Sequence, residues 1–172
     1  MVMPVAVRPA RPSDGPAMGR VHVAAWQWAY AGVMDEEFLA ALDAKARGTR
    51  WTDVLTEAQD STTLVAEMGS TVVAICSIGP YRDRADDDPG MELWMLNAHP
   101  DAFGTGAAAA LHTEAVARMA ATGEDRAALW VVEHNPRARR FYEREGWEAD
   151  GARRTIDIGG RAITEVRYIR QL

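Results

Sequence analysis

A glycine-rich segment at residues 99–111, HPDAFGTGAAAAL, holds the first residues whose types and spacing could do chemistry. Gly104 and Gly106 flank Thr105, and a run of alanines leads from them into a helical pattern. The first turn of a helix has N–H groups without partners and a partial positive charge, which together attract phosphate. The segment therefore predicts a loop whose backbone amides bind an anion. An ordinary glycine turn before a packed helix is the alternative for this segment taken alone.

Two nucleotide-binding motifs fit this segment poorly. Residues 104–109, GTGAAA, match the dinucleotide fingerprint G-x-G-x-x-A, but that fingerprint places its glycines directly at a strand end and an acidic residue near the end of the next strand. Here residues 97–103 intervene, and Glu124 and Asp125 precede the next predicted strand. No Gly-Lys-Ser/Thr follows, so a Walker loop is excluded. A nicotinamide-dependent oxidoreductase is therefore disfavoured.

A second stretch, LWVVEHNPRARRFYEREGW at residues 129–147, runs from an apolar strand through Asn135 into a helix that carries Phe141 and Tyr142. Together with ELWMLNAHPDAFGTGAAAAL at residues 92–111, it resembles the GCN5-related N-acetyltransferases (the GNAT family). The resemblance covers nearly the whole chain, from VRPARPSD near the start to EVRYIRQL at the end. The pair of stretches at this separation is specific, whereas either one alone is only suggestive.

This resemblance implies that acetyl-CoA is the acetyl donor and that coenzyme A is a product. The family's pyrophosphate-binding pattern, Q/R-x-x-G-x-G/A, falls on Phe103, Gly106 and Ala108. The strands at residues 93–98 and 127–132 would splay apart and admit the pantetheine arm, which would bond to backbone groups that are otherwise costly to bury. The implied cofactor-binding residues are Leu96, Asn97, Ala98, Phe103, Gly104, Thr105, Gly106, Ala107, Ala108, Asn135, Ala138, Phe141 and Tyr142.

Acetyl transfer to an amine needs a neutral nucleophile and a protonated leaving thiol. An amine with a pKa of about 10.4 is only about one part in 10³ neutral at pH 7, so a general base is useful. The resemblance implies Tyr142 as the proton donor to the thiolate and Glu92 as a candidate base, with a water chain or a solvent-facing carboxylate as alternatives for Glu92. It also implies an acceptor site lined by Trp26, Tyr30 and Trp94, although ordinary aromatic core explains these three residues equally well. Asparagine before Pro136 is also a good helix N-cap, and both roles of Asn135 are expected.

The expected activity is therefore an N-acetyltransferase that acts on an amine of a small molecule or a protein. Two departures from the family pattern favour a rival. Phe103 replaces the usual polar residue, and Thr105 stands where many members carry a basic side chain. The rival is an acyl-CoA-binding module without transferase activity. The acidic residues 86–88 could attract a cationic amine, but acidic loops are more typically just solvated.

Composition narrows the class of protein further. A chain of 172 residues fits one domain, here residues 1–172, and the net charge of −6 argues against nucleic-acid binding. The lone Cys76 fits a reducing compartment and a buried apolar position. No apolar stretch approaches the roughly 20 residues of a spanning helix. We expect a cytoplasmic protein without membrane partners, and a homodimer is left open. Metal-ligand spacing is missing from the four histidines, His22, His99, His112 and His134.

The predicted elements must position these residues in one mixed α/β domain. Strands are predicted at residues 5–8, 62–68, 71–78, 91–98, 127–132, 147–156 and 163–169. A first helix begins at Ser13 or Asp14 and has Met18, Val21, Ala25 and Trp28 at helical spacing. Further helices are predicted from about residue 35 to 55, with a break near Gly48, and at residues 104–121 and 136–145. The order β-α-α-β-β-β-α-β-α-β-β predicts a central, mostly antiparallel sheet of the GNAT type with helices on both faces.

Overall fold

The computed structural model describes residues 4–57, 60–83 and 89–172. The strands are β1 (Val5–Pro9), β2 (Thr62–Met68), β3 (Thr71–Pro80), β4 (Gly90–Ala98), β5 (Arg126–Val132), β6 (Glu148–Ile158) and β7 (Arg161–Gln171). The α-helices are α1 (Gly15–Ala29), α2 (Glu36–Ala40), α3 (Ala44–Thr56), α4 (Ala107–Ala120) and α5 (Pro136–Arg144). Short 3₁₀ turns at Pro12–Asp14 and Pro100–Ala102 precede α1 and the glycine loop.

The strands form one seven-stranded sheet in the order β1-β2-β3-β4-β5-β7-β6. The pairing of β4 with β5 is parallel, and the neighbouring pairs are antiparallel. Gly69 and the pair Gly159 and Gly160 adopt positive φ angles at the two hairpin turns, where residues with a Cβ are disfavoured. The predicted mixed, mostly antiparallel sheet is confirmed.

The two parallel strands separate halfway along their length. Gly90–Leu93 of β4 pair with residues 126–129 of β5, after which both strands continue without pairing to each other, to Ala98 and Val132. On its other side β4 stays paired with β3 as far as Ala98. The predicted splaying is confirmed, and it leaves one backbone edge of residues 94–98 facing a gap.

Helices cover both faces of the sheet. Leu64 and Ala66 of β2 belong to a core cluster that includes Leu111 and Met119 of α4, whereas Val65 between them packs in a second cluster with Met18 and Val21 of α1. This alternation follows from the period of two along a strand. Cys76 is fully buried, as its apolar neighbours indicate, and burial raises the pKa of its thiol to about 12.

The predicted break near Gly48 is wrong, because Gly48 lies inside α3. The break falls instead at residues 41–43, where the Asp43 carboxylate caps α3 by accepting the N–H groups of Lys45 and Ala46. Gly48 allows α3 to pack closely against α1, because a Cβ on it would lie 3.0 Å from the carbonyl oxygen of Gly15. Local sequence suggests a helix breaker, but tertiary contact between two helices determines this glycine.

Two other expectations about helices need correction. Helix α4 begins at Ala107 and not at residue 104, because Gly104 and Gly106 have φ angles of 79° and 88°, which a right-handed helix does not contain. The helical spacing predicts Trp28 on the apolar face of α1, yet this residue is 46% exposed. It contacts the ring of Phe103 edge-on at 4.9 Å, and so lies beside the glycine loop.

Candidate active site

The glycine loop presents backbone amides to open space. A Cβ added to Gly104 or Gly106 would meet no atom within 4 Å. Among the residues that the structure describes, no acceptor receives the N–H groups of Gly104, Gly106, Ala108 or Ala109, whereas Ala110 donates to the carbonyl of Gly106. Unpaired amides at a helix start are the donors that phosphate oxygens need. The loop therefore fits an anion, and its glycine face is open.

Thr105 and Ala107 do not face this open side. The hydroxyl of Thr105 donates to the carbonyl of Ala102 at 2.7 Å and accepts the N–H of Ala107 at 3.4 Å, which closes the turn. Ala107 is fully buried in the core cluster under α4. Both residues were expected to bind the cofactor. In the structure Thr105 closes the turn, and Ala107 packs in the core.

A cavity of about 510 Å³ extends from the glycine loop along α5, and we call it the loop cavity. It is lined by eleven of the thirteen residues expected to bind the cofactor, namely Leu96, Asn97, Ala98, Phe103, Gly104, Gly106, Ala108, Asn135, Ala138, Phe141 and Tyr142. The unpaired edge of β4 forms one wall, and α5 forms the opposite wall. The Asn135 Oδ1 atom accepts the N–H of Ala138 at 3.0 Å, so the expected N-cap is confirmed.

Three arginines of α5 also line the loop cavity, and the sequence reasoning missed them. Arg137, Arg140 and Arg144 are spaced i, i+3 and i+7, which places them on one face of the helix. The guanidinium of Arg137 lies 4.0 Å from the ring centroid of Phe103 and 5.5 Å from that of Trp28. The positive charge that Thr105 lacks is therefore supplied across the cavity by α5. The helical spacing of the arginines in NPRARRFYER was the signal that could have revealed them.

A second cavity of about 510 Å³ lies between α1, α3 and the sheet, and we call it the tryptophan cavity. Its wall includes Trp26, Tyr30 and Trp94, the three residues expected at an acceptor site, together with Trp51 and Trp130. The rings of Trp26 and Tyr30 have centroids 4.9 Å apart and are tilted by 47°, and the Trp94 indole N–H donates to the carbonyl of Pro80 at 3.1 Å. The acidic residues 86–88 lie outside the described residues.

The two cavities meet around Tyr142. Both are lined by a shared set of residues, which are Ala29, Leu96, Asn97, Asn135, Ala138 and Tyr142. The Tyr142 ring is held between Phe141 and Trp147, at centroid distances of 5.4 and 6.3 Å. Burial raises the pKa of Tyr142, and the nearby thiol of Cys76 raises it further. The phenol is therefore a neutral hydrogen-bond donor placed at the junction.

Glu92 has a different environment from the one expected. Its side chain is 1% exposed, and both of its oxygens accept hydrogen bonds from Arg82, at 2.6 Å to Oε1 and 3.2 Å to Oε2. Among the residues described, those that line the tryptophan cavity include Arg82 but not Glu92. Glu92 neither faces solvent nor lines either cavity, and its contact with the wall of the tryptophan cavity is made through Arg82.

His22 lies in the wall of the tryptophan cavity as a neutral imidazole. Burial lowers its pKa to about 4, and the positive charge of Arg47 contributes to the shift. Its ring lies 5.5 Å from that of Trp26 and 6.0 Å from that of Trp51. Within the described ranges neither ring nitrogen has a hydrogen-bond partner.

No cluster of three or more possible metal ligands occurs in those ranges, and no helix there is long and apolar enough to cross a membrane.

Comparison with known proteins agrees with this geometry. A match to the Acetyltransferase (GNAT) family covers residues 23–147. The uncharacterized N-acetyltransferase Rv2669 of Mycobacterium tuberculosis is 31% identical over 140 residues, which is 81% of this chain and 85% of the relative. The chain therefore belongs to the GNAT family of acetyltransferases, as the sequence resemblance predicted.

Solved structures share the fold at lower identity. The PaiA N-acetyltransferase of Thermoplasma acidophilum, solved with coenzyme A, has a TM-score of 0.75 at 20% identity, over 99% of this chain and 100% of that one. The YncA protein of Salmonella typhimurium, solved with its cofactor acetyl-CoA, has a TM-score of 0.69 at 17% identity, over 97% of this chain and 93% of that one. At these identities the likeness establishes the fold alone.

Proposed function

We propose that this acetyltransferase transfers the acetyl group of acetyl-CoA directly to an amine of a small molecule or a protein. The observation that carries the proposal is the junction at Tyr142, where the loop cavity and the tryptophan cavity share one wall. A donor in one cavity and an acceptor in the other would meet there. Two structural neighbours were solved with coenzyme A or acetyl-CoA, which supports the choice of donor.

Different parts of the loop cavity would bind different parts of acetyl-CoA. The free amides of Gly104, Gly106 and Ala108 bind the pyrophosphate oxygens, and Arg137 and Arg140 add positive charge from the opposite wall. The unpaired edge of β4 at residues 94–98 supplies backbone groups for the amides of the pantetheine arm. The side-chain N–H₂ of Asn135 contributes a further donor, since only its oxygen is used by the helix cap.

Acetyl-CoA, when bound, supplies a thioester that an amine can attack. After attack by the neutral amine, a new C–N bond would form as the C–S bond breaks and the leaving sulfur would take a proton from Tyr142. The acylated nitrogen would then lose a proton, which restores the phenol of Tyr142. The buried phenol suits this step because its raised pKa keeps it protonated at neutral pH. Glu92 reaches no cavity, so we assign to water within the tryptophan cavity the earlier step, in which the ammonium loses its first proton before attack, and we assign a positioning role to Glu92.

Two measurements test this function. Acetyl-CoA should raise the melting temperature, because a ligand that binds only the folded state stabilises it by about 2.7 kcal/mol at a hundred times its Kd. NADH should leave it unchanged. With an amine panel that includes aliphatic amines, aryl amines, aminoglycosides, amino acids and peptides, thiol release should accompany an acetylated product detected by mass spectrometry. Binding of acetyl-CoA without thiol release from any of these amines would favour an acyl-CoA-binding module.

A further inference from the structure

The charges of the tryptophan cavity indicate what kind of acceptor it receives. Among the described residues, the charged side chains in its wall are Arg82 and Glu165. The Arg82 guanidinium is neutralised by both oxygens of the buried Glu92. The negative charge of Glu165 on β7, whose side chain is 12% exposed, is neutralised less completely.

Glu165 shares its only described cation with another carboxylate. Its Oε2 atom accepts from Nε of Arg154 at 2.7 Å, while Nη1 of Arg154 donates to Asp83 at 2.7 Å. No donor in the described part of the chain bonds to Oε1 of Glu165. The negative charge of Glu165 also reaches Tyr30, where it adds to burial in raising the pKa of the phenol to about 12. One carboxylate oxygen therefore remains for a ligand, next to an aromatic side chain.

The rest of the wall is rich in aromatic side chains, which include Trp51 and Trp130. The rings of Trp26 and Tyr30 have centroids 4.9 Å apart and are tilted by 47°. Trp94 donates its N–H to the carbonyl of Pro80, and the Arg82 guanidinium lies 4.8 Å from the centroid of its ring. Aromatic faces attract both flat apolar groups and cations. A cavity of about 510 Å³ is large enough for a small ligand with one ring. Burial leaves His22 uncharged at neutral pH, so it does not repel a cation. Arg47 on α3 carries the positive charge that helps to lower the pKa of His22.

We propose that the acceptor is a primary alkylamine attached to an aromatic ring, and that Glu165 binds its ammonium group while the wall of tryptophans packs on the ring. This inference rests on the proposed acetyl transfer, and it assigns the acceptor class and a recognition residue on β7. An ammonium held by Glu165 must lose its proton before the nitrogen attacks. Binding therefore selects the protonated amine, and the neutral amine formed from it in the tryptophan cavity is the nucleophile.

A charge-neutral variant separates recognition from structure. Glu165→Gln keeps an oxygen for Arg154 but removes the negative charge. We expect it to raise the KM for 2-phenylethylamine by about tenfold or more, the effect of losing one charge-assisted hydrogen bond. The KM for aniline, which is uncharged at neutral pH, should change by less than about threefold. Glu133→Gln, which breaks the surface pair with Arg153, is the matched control and should affect neither amine.

Ring recognition is tested with a second pair of ligands. Wild type should prefer 2-phenylethylamine to n-butylamine in kcat/KM, and Trp26→Leu should reduce this preference by about tenfold, the scale of one aromatic contact. Quenching of tryptophan fluorescence reports amine binding independently of turnover. The Kd for acetyl-CoA, measured for each variant, confirms that the variant is folded.

The outcomes distinguish this inference from the proposed function. Equal use of both alkylamines, or an equal loss of both 2-phenylethylamine and aniline in Glu165→Gln, would overturn the acceptor assignment. Acetylation of amino acids or peptides but not of arylalkylamines would overturn it and leave the transferase intact. Glu165-dependent quenching by 2-phenylethylamine without thiol release would support the binding site and contradict the transfer reaction.

Discussion

Arg82 and Glu92 are joined by three hydrogen bonds, from Nη2 to Oε1 at 2.6 Å, from Nε to Oε2 at 3.2 Å and from the backbone N–H to Oε2 at 3.0 Å. The carboxylate is buried, whereas the Arg82 side chain is half exposed and lines the tryptophan cavity. The pair ties Arg82 to the start of β4 and orients its guanidinium.

A positioning role predicts a specific effect of Glu92→Gln. The variant should lose about 1–3 kcal/mol of stability, because a charged hydrogen-bond acceptor is lost from a buried site, and its kcat should fall by less than about tenfold. Urea unfolding and steady-state thiol release measure the two quantities. Glu67→Gln, which breaks the pair with Arg8 far from both cavities, is the control for stability. A kcat loss in the range of about 10²–10⁴ would instead establish Glu92 as the general base.

Removal of the Tyr142 hydroxyl should affect the chemical step. Tyr142→Phe keeps the ring between Phe141 and Trp147, so we expect near-normal stability and unchanged binding of acetyl-CoA. The kcat should fall by about 10–10³-fold, since the hydroxyl acts when charge develops on sulfur. The matched control is Tyr168→Phe, whose buried hydroxyl bonds to Glu143 and Arg139 and which should lose stability and keep its kcat. Equal kcat values for wild type and Tyr142→Phe, with chemistry rate-limiting, would remove Tyr142 from the mechanism.

A bulky side chain in the glycine loop should block the donor. Gly106→Leu puts a side chain into the open face of the loop, and it should abolish the rise in melting temperature caused by acetyl-CoA. Strain at a positive φ costs about 1–2 kcal/mol by itself, so a control is needed. Gly123→Leu carries the same strain, because Gly123 has a φ of 86° and open space at its Cβ, but it lies beyond the end of α4. Normal acetyl-CoA binding by a folded Gly106→Leu variant would refute the phosphate assignment.

The arginines of α5 should carry the charge that the loop lacks. The double variant Arg137→Gln with Arg140→Gln should weaken acetyl-CoA binding by about tenfold or more at low salt, and it should flatten the salt dependence of Kd. Arg118→Gln on α4, which pairs with Glu114, is the control. Isothermal titration at two ionic strengths provides the measurement. An unchanged Kd at low salt would mean that the phosphates are held by the backbone amides alone.

Buried His22 should make the fold sensitive to acid. Its pKa is lowered from 6.5 to about 4, so between these values the unfolded state binds a proton that the folded state does not. The free energy of unfolding therefore falls as the pH drops, by up to about 1.4 kcal/mol per pH unit. Burial lowers the pKa of His112 as well, which adds a loss of the same sign.

His22→Gln should reduce the stability lost between pH of about 7 and 5 by roughly 1–2 kcal/mol, in a range where most carboxylates stay ionised. Urea unfolding at both pH values measures this difference. His134→Gln, at an exposed position, should leave the loss unchanged. A pH dependence in His22→Gln that matches wild type would show that His22 is not responsible.

Local sequence signals predicted most of the fold, because they depend on few residues. The Gly69-Ser70 turn, the N-cap at Asn135 and the glycines before α4 each specify backbone conformation directly, and the structure has each feature at the expected place. Gly48 was misread because its function depends on a helix 30 or so residues away in the chain, and a single position does not reveal that contact.

The lining of the loop cavity was predictable where a motif defines it. Phe141 and Tyr142 lie in the stretch at residues 129–147 that carries the family resemblance, and both line the loop cavity. Glu165 was missed because its position beside Tyr30 depends on β7 pairing between β5 and β6, which no local pattern encodes. The burial of Glu92 likewise depends on Arg82, a partner ten residues away in the chain.

The separation of β4 from β5 also has a mechanical consequence. Four residue pairs join the half of the sheet that contains β1–β4 to the half that contains β5–β7, whereas the neighbouring β3–β4 and β5–β7 contacts each hold seven. We therefore expect the sheet to yield most easily beside Leu93 and Leu129. A donor that bonds to the free edge of β4 should stiffen this junction until coenzyme A leaves.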